Sequence, residues 1–309
     1  MNPMTTFCNI RDLFLRIRSR SVKANLSLVW PLVLSCLRKI GNKSANYQLI
    51  FVRTSLSYLT NIHSAKCMVI GCLRGEECSY FIRFGASKVD GLDVFNEVGS
   101  AYVHPRVKYY KMSVENMEGI EDNEYDLVHC VATMEHVLRI DMAFSEMVRI
   151  CKPGGLIYCF SAPLWNSSFG HHFGAVFAKC PWIHLRMNAE EFNHYCRVNK
   201  ITNQTRGMKV QIEKINDYYR AMNMPDQICS MDEAIAWMLN SEHFNRMPAK
   251  QYIEVCDSLN AKVQVIHNKL GFDDKRLLIP DIYSELKEKG YTTEELLAGS
   301  HTFVARKRL

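Results

Sequence analysis

Residues 68–77 read MVIGCLRGEE, an apolar run that leads into a turn with two glycines. An apolar run followed by glycines and a helix-forming segment is typical of a strand that enters a helix through a tight turn. Glycine lets the backbone approach a ligand closely, and the start of the following helix presents free N–H groups. The stretch therefore predicts a β-α unit with a ligand-binding turn at Gly71 and Gly75.

A carboxylate stands at the end of the next apolar run. Asp93 follows Gly75 by 18 residues and comes directly after the predicted strand Lys88–Leu92. At this place a carboxylate can accept hydrogen bonds from both hydroxyls of a ribose. Turn glycines and a single aspartate each occur for structural reasons alone, but their joint spacing predicts a nucleoside pocket.

Short apolar runs alternate with helical stretches from residue 65 onward, and this alternation is typical of β-α-β units around a parallel sheet. Residues 142–151 predict an amphipathic helix that ends at the turn Lys152–Gly155. The predicted strands are Cys67–Ile70, Lys88–Leu92, Val107–Met112, Tyr125–Val131, Leu156–Phe160, Lys262–His267 and His301–Arg306.

The pattern along the chain divides it into four predicted regions. Residues 1–64 form a basic helical N-terminal segment, and residues 65–165 form a cofactor-binding core. Residues 166–244 are rich in aromatic residues, histidine, asparagine and methionine, and they predict an inserted helical lobe that shapes substrate specificity. Residues 245–309 are predicted to complete the core sheet.

Composition narrows the class of protein. The chain has 309 residues, of which 48% are hydrophobic and 23% are charged, which indicates a folded globular protein. Its twelve cysteines are scattered without a Cys-x-x-Cys pair, and this predicts reduced thiols in a reducing compartment. The apolar stretch at residues 26–37 contains Pro31 and is too short to span a bilayer. We therefore expect a cytoplasmic protein.

The formal charge of +6 is concentrated near the start of the chain. Residues 1–60 carry nine Lys and Arg against the single acid Asp12. Residues 1–40 are compatible with a basic amphipathic helix that contacts an anionic membrane, RNA or a partner, and equally with a solvated helical cap. We expect no DNA partner, and the oligomeric state is left open.

Four further motifs occur in a fixed order. They are Val114–Asn116, Tyr125–Val128, Met134–Val137 and Arg149–Leu156, the last around a Lys-Pro-Gly-Gly turn. In these motifs and their spacing, residues 65–165 resemble the class I S-adenosylmethionine-dependent methyltransferases. The resemblance implies an α/β, Rossmann-like sheet of seven mostly parallel strands flanked by helices, with the last strand antiparallel. It also implies S-adenosylmethionine as the cofactor and S-adenosylhomocysteine as the product.

The resemblance assigns cofactor contacts by position. Gly71 and Gly75 would face the methionine part, Asp93 the ribose, and the segment Ser113–Val114 the adenine edge. The cofactor-binding residues implied in this way are Gly71, Cys72, Gly75, Asp93, Val94, Ser113 and Val114.

Three positions depart from the family pattern. Val69 stands where the family usually has an acid that helps orient the methionine ammonium group, and Leu73 replaces a third glycine. Ser113 replaces an acid near the adenine amine. Either Glu76 or Glu77 supplies the missing charge, or the protein is a non-catalytic interaction protein on this fold. We predict an active enzyme, because the turn glycines occur together with Asp93, the carboxylate predicted to bind the ribose.

Methyl transfer to a hydroxyl or a protonated amine requires a base beside the acceptor. The catalytic candidates are Glu135 and His136 after the fourth predicted strand, and His171 and His172 after the fifth. A neutral imidazole can deprotonate the acceptor, and His172 is preferred for this role. Either member of the pair His171 and His172 could instead anchor loop carbonyls of the lobe.

A metal site is the alternative use of the same residues. The ubiquinone-biosynthesis O-methyltransferases and the small-RNA 2′-O-methyltransferases have the motif Glu-x-x-Glu-His at the positions that correspond to residues 132–136 of this chain. Here Ala132 replaces the first glutamate of the motif. Glu135, His136 and one histidine of the later pair could still provide three ligands to a divalent ion. Because Glu-His is widespread in family members with no metal, we predict none.

The sequence of the lobe provides the evidence from which we predict the methyl acceptor. Its length and its Gly-His-His segment resemble those of methyltransferases of bacterial cell-surface glycan pathways, so we predict O-methylation of a polar small molecule, sugar or glycan precursor. RNA methylation is an alternative that the basic N-terminus favours. The slightly acidic core, and basic residues that are not interleaved with aromatic ones, argue against RNA.

Overall fold

A seven-stranded sheet forms the centre of the computed structural model, which describes residues 45–309. The strand order is β3-β2-β1-β4-β5-β7-β6; β1 to β5 are parallel, and β7 is antiparallel to both of its neighbours. The predicted Rossmann-like sheet with an antiparallel last strand is confirmed. The strands are β1 (Lys66–Ile70), β2 (Lys88–Asp93), β3 (Val107–Lys111), β4 (Tyr125–Val131), β5 (Cys151–Ser161), β6 (Val263–Phe272) and β7 (Ala298–Lys307).

Helices connect the strands and cover the sheet. Within the described residues no helix is long and apolar enough to cross a membrane. The helices are α1 (Ala45–Leu56), α2 (Glu76–Arg83), α3 (Ile140–Ile150), α4 (Gly174–Phe177), α5 (Ile183–Arg186), α6 (Ala189–Val198), α7 (Arg206–Ala221), α8 (Met231–Asn240), α9 (Ala249–Asp257), α10 (Pro280–Glu288) and α11 (Thr293–Leu297).

The central strands are apolar on both faces because helices cover both faces of a parallel sheet. In β1, the four residues from Cys67 to Ile70 are all buried, and β4 is buried over most of its length. Helix α3 packs Phe144 and Met147 into the same core. Buried side chains of this size each contribute about 1.5–3 kcal/mol to stability.

The region around residues 151–156 differs from its prediction. The predicted turn Lys152–Gly155 lies inside β5, which begins at Cys151 directly after α3. Tyr125 pairs with Cys151 and Leu127 with Leu156, so the pairing advances five residues along β5 and two along β4. The segment is therefore a bulge, and pairing with β4 keeps it in the strand despite its turn-forming proline and glycines.

The helices between β5 and β6 have a core of their own. Phe177 and Phe192 lie at its centre, and Met208 and Ile235 pack from α7 and α8. The four-region division of the chain stays a prediction. The membrane or partner contact predicted for residues 1–40, and the larger part of the basic segment, lie outside the described residues. The ten described cysteines are free thiols, and nine of them are buried.

We expect alanine at Gly75 to destabilise the fold more than alanine at Gly119. Both glycines have positive φ, 94° and 81°, so both variants carry a backbone penalty of about 1–2 kcal/mol. A Cβ at Gly75 would in addition collide with the phenol of Tyr109, whereas a Cβ at Gly119 meets nothing within 4 Å. The collision adds about 1–3 kcal/mol. Thermal denaturation of both variants measures the difference, and equal shifts would contradict it.

Candidate functional site

The glycine turn is fastened to the end of β2 by Asp93. Its carboxylate accepts hydrogen bonds from the N–H of Leu73 (2.9 Å) and the N–H of Phe95 (3.3 Å). Burial raises the pKa of Asp93, and these backbone N–H groups oppose the rise. Gly71 N–H donates to the carbonyl of Leu92 (2.8 Å), so the turn and the end of β2 form one backbone unit.

The other residues predicted for the cofactor surround this unit. Cys72 is buried beneath the turn, and Val94 is exposed beside Asp93. The N–H of Met112 donates to the carbonyl of Asp93 (3.0 Å), which places the segment Ser113–Val114 next to the end of β2. The ends of β1, β2 and β3 thus bring the seven predicted residues to one edge of the sheet.

A buried acid lies close to the position where Val69 departs from the family pattern. Val69 is fully buried, and its register partner on β4 is His129. The Nε2 atom of His129 lies 3.2 Å from a carboxylate oxygen of Glu77 in the first turn of α2. Glu77 is 5% exposed, whereas Glu76 points to solvent. The structure thus gives the two glutamates different surroundings.

Tyr47 on α1 lies near two buried acids, and the sequence analysis did not identify it. Burial raises the pKa of its phenol, and the carboxyl groups of Glu77 and Glu135 raise this pKa further. The two carboxyl groups therefore lie near one side chain, at the end of neighbouring strands β1 and β4. Tyr47 lies in a helix that precedes the core, and no motif around it in the sequence indicates that it lies near these acids.

Glu135 belongs to a short 3-10 turn, Met134–His136, that follows β4. The residue is 3% exposed, and neither carboxylate oxygen makes a well-formed hydrogen bond among the described residues, although the backbone N–H groups of Glu135 and Ala162 lie near them. Burial raises the pKa of Glu135 to about 8, so the carboxyl group holds a proton near neutral pH. Burying an acid that lacks a strong hydrogen bond raises the free energy of the folded state. Acids with such a raised pKa are typical of functional sites.

His136 has a defined tautomer. Its Nδ1 atom lies 2.8 Å from the carbonyl oxygen of His243, and because a carbonyl only accepts, Nδ1 carries the hydrogen. The lone pair therefore lies on Nε2. Burial lowers the pKa of His136, so the ring is neutral near pH 7. A neutral ring with a free lone pair can act as a base or as a metal ligand.

His172 completes the cluster. Its ring stacks on Phe244 at 4.9 Å and lies 5.1 Å from the ring of His136. Burial lowers the pKa of His172 well below its ordinary value, and its Nδ1 atom has no hydrogen-bond partner among the described residues. Glu135, His136 and His172 each offer a ligand atom, and these atoms lie within 4.8 Å of one another.

His171 faces a different environment from its neighbour. Its Nδ1 atom accepts a hydrogen bond from the N–H of Phe173 (2.9 Å). The ring lies 4.8 Å from that of His184 and 5.9 Å from that of Phe177, within the lobe. Burial lowers the pKa of His171 well below its usual range. His171 therefore packs within the lobe and bonds a backbone N–H, and its Nε2 atom has no hydrogen-bond partner among the described residues, so the anchoring of loop carbonyls stays a prediction.

Four half-buried or buried rings, here called the aromatic rim, border the cluster: Tyr218, Trp237, His243 and Phe244. His243 lies 4.9 Å from each of the other three rings. Tyr218 also packs on Phe95 at 5.6 Å, so the rim reaches the residues that follow Asp93. The sequence predicted an aromatic-rich lobe over residues 166–244 but singled out none of these four rings, because the cluster that they border is distant in sequence.

Three kinds of comparison show which known proteins the chain is similar to. Residues 68–159 match the family model described as a methyltransferase domain. The chain is 20% identical over 202 residues to the ubiquinone biosynthesis O-methyltransferase of Rickettsia bellii, covering 64% of this chain and 81% of that protein. It is 28% identical over 105 residues to the protein of the same name from Methylococcus capsulatus, covering 32% and 44%. The structure of N-methyltransferase NodS from Bradyrhizobium japonicum with S-adenosyl-L-homocysteine aligns at a TM-score of 0.40 and 10% identity, covering 87% of this chain and 90% of that one.

We expect acid to destabilise the lobe. Burial lowers the pKa of His184 to about 4 and that of His243 to about 3, whereas an unfolded histidine titrates at about 6.5. The unfolded chain then binds more protons, so the free energy of unfolding falls as the pH drops from about 6.5 towards 4, by up to about 1.4 kcal/mol per pH unit for each histidine. Urea denaturation at pH 7.5 and 5 measures this loss.

The matched variants for this measurement are His184→Phe and His194→Phe. His184 is buried, and His194 on α6 is exposed. The difference in stability between the two pH values should shrink in His184→Phe and stay at the wild-type size in His194→Phe. An unchanged difference in His184→Phe would show that this histidine is not the source.

Proposed function

We propose that the chain, whose residues 68–159 match a methyltransferase domain, is a class I S-adenosylmethionine-dependent methyltransferase that methylates a hydroxyl oxygen of a polar small molecule. The observation that carries the proposal is the cluster of Glu135, His136 and His172 beyond β4, next to the cofactor edge of the sheet. When bound, the cofactor supplies an electrophilic methyl group. The protein supplies orientation and a place for the hydroxyl proton.

The cofactor is held by the residues at the ends of β1, β2 and β3. Asp93 accepts hydrogen bonds from the ribose hydroxyls, and the backbone of the turn Gly71–Gly75 accommodates the methionine part. We assign the ammonium group to Glu77, because its carboxylate is buried near the position of Val69 and at the start of α2. The segment Ser113–Val114 borders the adenine.

His136 is the base in this proposal. Its neutral ring and the Nε2 lone pair can take the proton of the acceptor hydroxyl, while Nδ1–H stays bound to the carbonyl of His243. With the cofactor bound, the deprotonated acceptor oxygen would take its methyl group, and S-adenosylhomocysteine would be the leaving group. The products are the methyl ether, S-adenosylhomocysteine and a proton on His136, which passes to solvent.

Two observations support an acceptor hydroxyl on a ring. The aromatic rim offers flat surfaces around the cluster, which favour the faces of sugars and of aromatic rings alike. Two of the relatives carry the name ubiquinone biosynthesis O-methyltransferase. Methylation assays with labelled cofactor on sugars, nucleotide sugars, phenols and short RNA test the proposal. Transfer to amines alone would refute it.

In a second form of the same proposal, a divalent ion binds at the cluster. The buried carboxyl group of Glu135, which makes no well-formed hydrogen bond among the described residues, favours this form. Ligands on one zinc-like ion lie on the order of 3–4 Å apart, so small rotations of Glu135, His136 and His172 bring their atoms from 4.8 Å into range. The other ring nitrogen of His136, Nδ1, donates to the carbonyl of His243, as metal-binding histidines commonly do with a backbone carbonyl. The ion would bind and polarise the acceptor hydroxyl.

We expect Glu77→Gln and Asp93→Asn to weaken binding of S-adenosylmethionine, each by about ten-fold or more. Each change keeps the shape of the side chain and removes a charge that the cofactor needs. Glu76→Gln is the matched control, because Glu76 is the exposed neighbour of Glu77. Isothermal titration calorimetry on the full chain measures the dissociation constants. Equal affinity of the wild type and Glu77→Gln would remove Glu77 from the cofactor site.

We expect manganese binding at pH 7 to release close to one proton if the metal form is correct. The pKa of Glu135 is about 8, and the carboxyl group must ionise before it can coordinate an ion. Calorimetry with manganese chloride in two buffers of different ionisation enthalpy measures the released protons. Glu135→Gln should weaken binding and abolish the release. If manganese does not bind up to millimolar concentrations, the metal form is excluded and the base form stands alone.

A further inference from the structure

The segment of residues 243–247 returns the chain from the lobe to the turn that carries Glu135 and His136. The side-chain amide nitrogen of Asn245 donates to the carbonyls of Met134 (2.7 Å) and Val137 (3.0 Å). The backbone N–H of Asn245 donates to the carbonyl of Glu135 (3.1 Å). One residue therefore binds three of the four residues of the turn from 134 to 137.

The fourth residue of the turn is bound by the same segment. The ring of His136 donates from Nδ1 to the carbonyl of His243, two residues before Asn245. The side-chain oxygen of Asn245 accepts a hydrogen bond from the N–H of Met247 (3.1 Å), and its amide nitrogen lies 2.7 Å from the hydroxyl of Tyr252 on α9. The amide of Asn245 is thus itself held from two sides.

The turn needs such support for a physical reason. It is a single 3-10 turn of three residues, and turns of this kind are short and weakly stable on their own. The carbonyl of Met134 receives one bond from within the turn, from the N–H of Val137 (3.2 Å), and no side chain of the turn donates to the carbonyls of Met134 and Val137. Asparagine is suited to this task because its amide donates two hydrogen bonds while its oxygen accepts others.

We propose that Asn245 is a positioning residue that holds the turn from 134 to 137 so that the Glu135 carboxyl group and the Nε2 atom of His136 face His172. The hydrogen bonds from Asn245 to Met134, Glu135 and Val137, here called the clamp, also keep His136 next to the carbonyl of His243. The clamp thereby fixes the tautomer of His136. The inference rests on the proposed function in one respect, namely that Glu135 and His136 are the reacting groups. The hydrogen bonds of the clamp do not depend on that function.

Asn216 provides a matched control. Its amide nitrogen donates to the carbonyl of Ile228 (2.7 Å), and its oxygen accepts from the N–H groups of Gln227 (3.1 Å) and Ile228 (3.0 Å). Asn216 is buried and Asn245 is half-buried. The hydrogen bonds of Asn216 tie α7 to the segment before α8, and none of them reaches the turn. Aspartate at either position keeps the shape and replaces a donor by an acceptor.

The test compares Asn245→Asp, Asn216→Asp and the wild type as full chains without added ligand. Nitrogen-15 spectra of labelled histidine report the tautomer of His136, once His136→Asn has identified its signals. In the wild type we expect one tautomer with hydrogen on Nδ1. In Asn245→Asp we expect a mixture of the two tautomers. Asn216→Asp should lower the melting temperature and leave the His136 signals at their wild-type positions.

A wild-type His136 spectrum in folded Asn245→Asp would overturn the proposal. If that variant does not fold, Tyr252→Phe takes its place, because it removes the hydroxyl partner of the Asn245 amide and keeps the ring. It should move the same signals in the same direction by a smaller amount, and unchanged signals would again overturn the proposal. Affinity for S-adenosylhomocysteine should stay within about two-fold in all variants, since they leave the cofactor contacts intact.

The two proposals fail in different ways. A tautomer that depends on Asn245 in a chain that methylates no hydroxyl acceptor would leave the clamp standing and refute the proposed function. Hydroxyl methylation that requires His136, together with a His136 spectrum that ignores Asn245, would refute the clamp alone.

Discussion

The close contact between Gly71 and Thr133 is the constraint on which the site depends. Gly71 has φ of 74°, and a Cβ on it would come within 3.0 Å of the Thr133 Cβ. Only glycine lets the turn after β1 approach the turn after β4 so closely. Strands β1 and β4 are neighbours at the point where the strand order reverses, which is where open α/β sheets bind ligands. The contact therefore joins the cofactor edge to the turn that carries Glu135 and His136.

The sheet, and the grouping of the turn glycines with Asp93 at one of its edges, could be predicted because their signals are local. An apolar run, two glycines and a carboxylate at a set distance identify the ends of β1 and β2, and the predicted limits of β4, Tyr125–Val131, agree with the structure. The bulge at residues 152–155 could not be predicted, because proline and glycines favour a turn unless a neighbouring strand pairs with their flanks. Here Tyr125 and Leu127 provide that pairing.

The site could be predicted only in part, because several of its contacts join residues far apart in sequence. The hydrogen bond from His136 to His243 spans 107 residues, and that from Asn245 to Met134 spans 111. The different surroundings of His171 and His172 were also hidden. His172 has φ of 61°, a left-handed conformation that turns it away from the path of its neighbour, and nothing in the Gly-His-His sequence reveals this.

The charge state of the cluster explains how it can be buried. A protonated Glu135 beside neutral His136 and His172 places no net charge in a region where an isolated ionised group would be very costly. The same desolvation keeps a proton on Glu135 and leaves the Nε2 lone pair of His136 free, which is the state that the proposed base requires. Desolvation of the cluster therefore determines both its contribution to stability and the protonation states that the proposed reaction requires. The lobe and the turn that exclude water from these groups also set their protonation states, so any change that opens the lobe must alter the chemistry and the stability together.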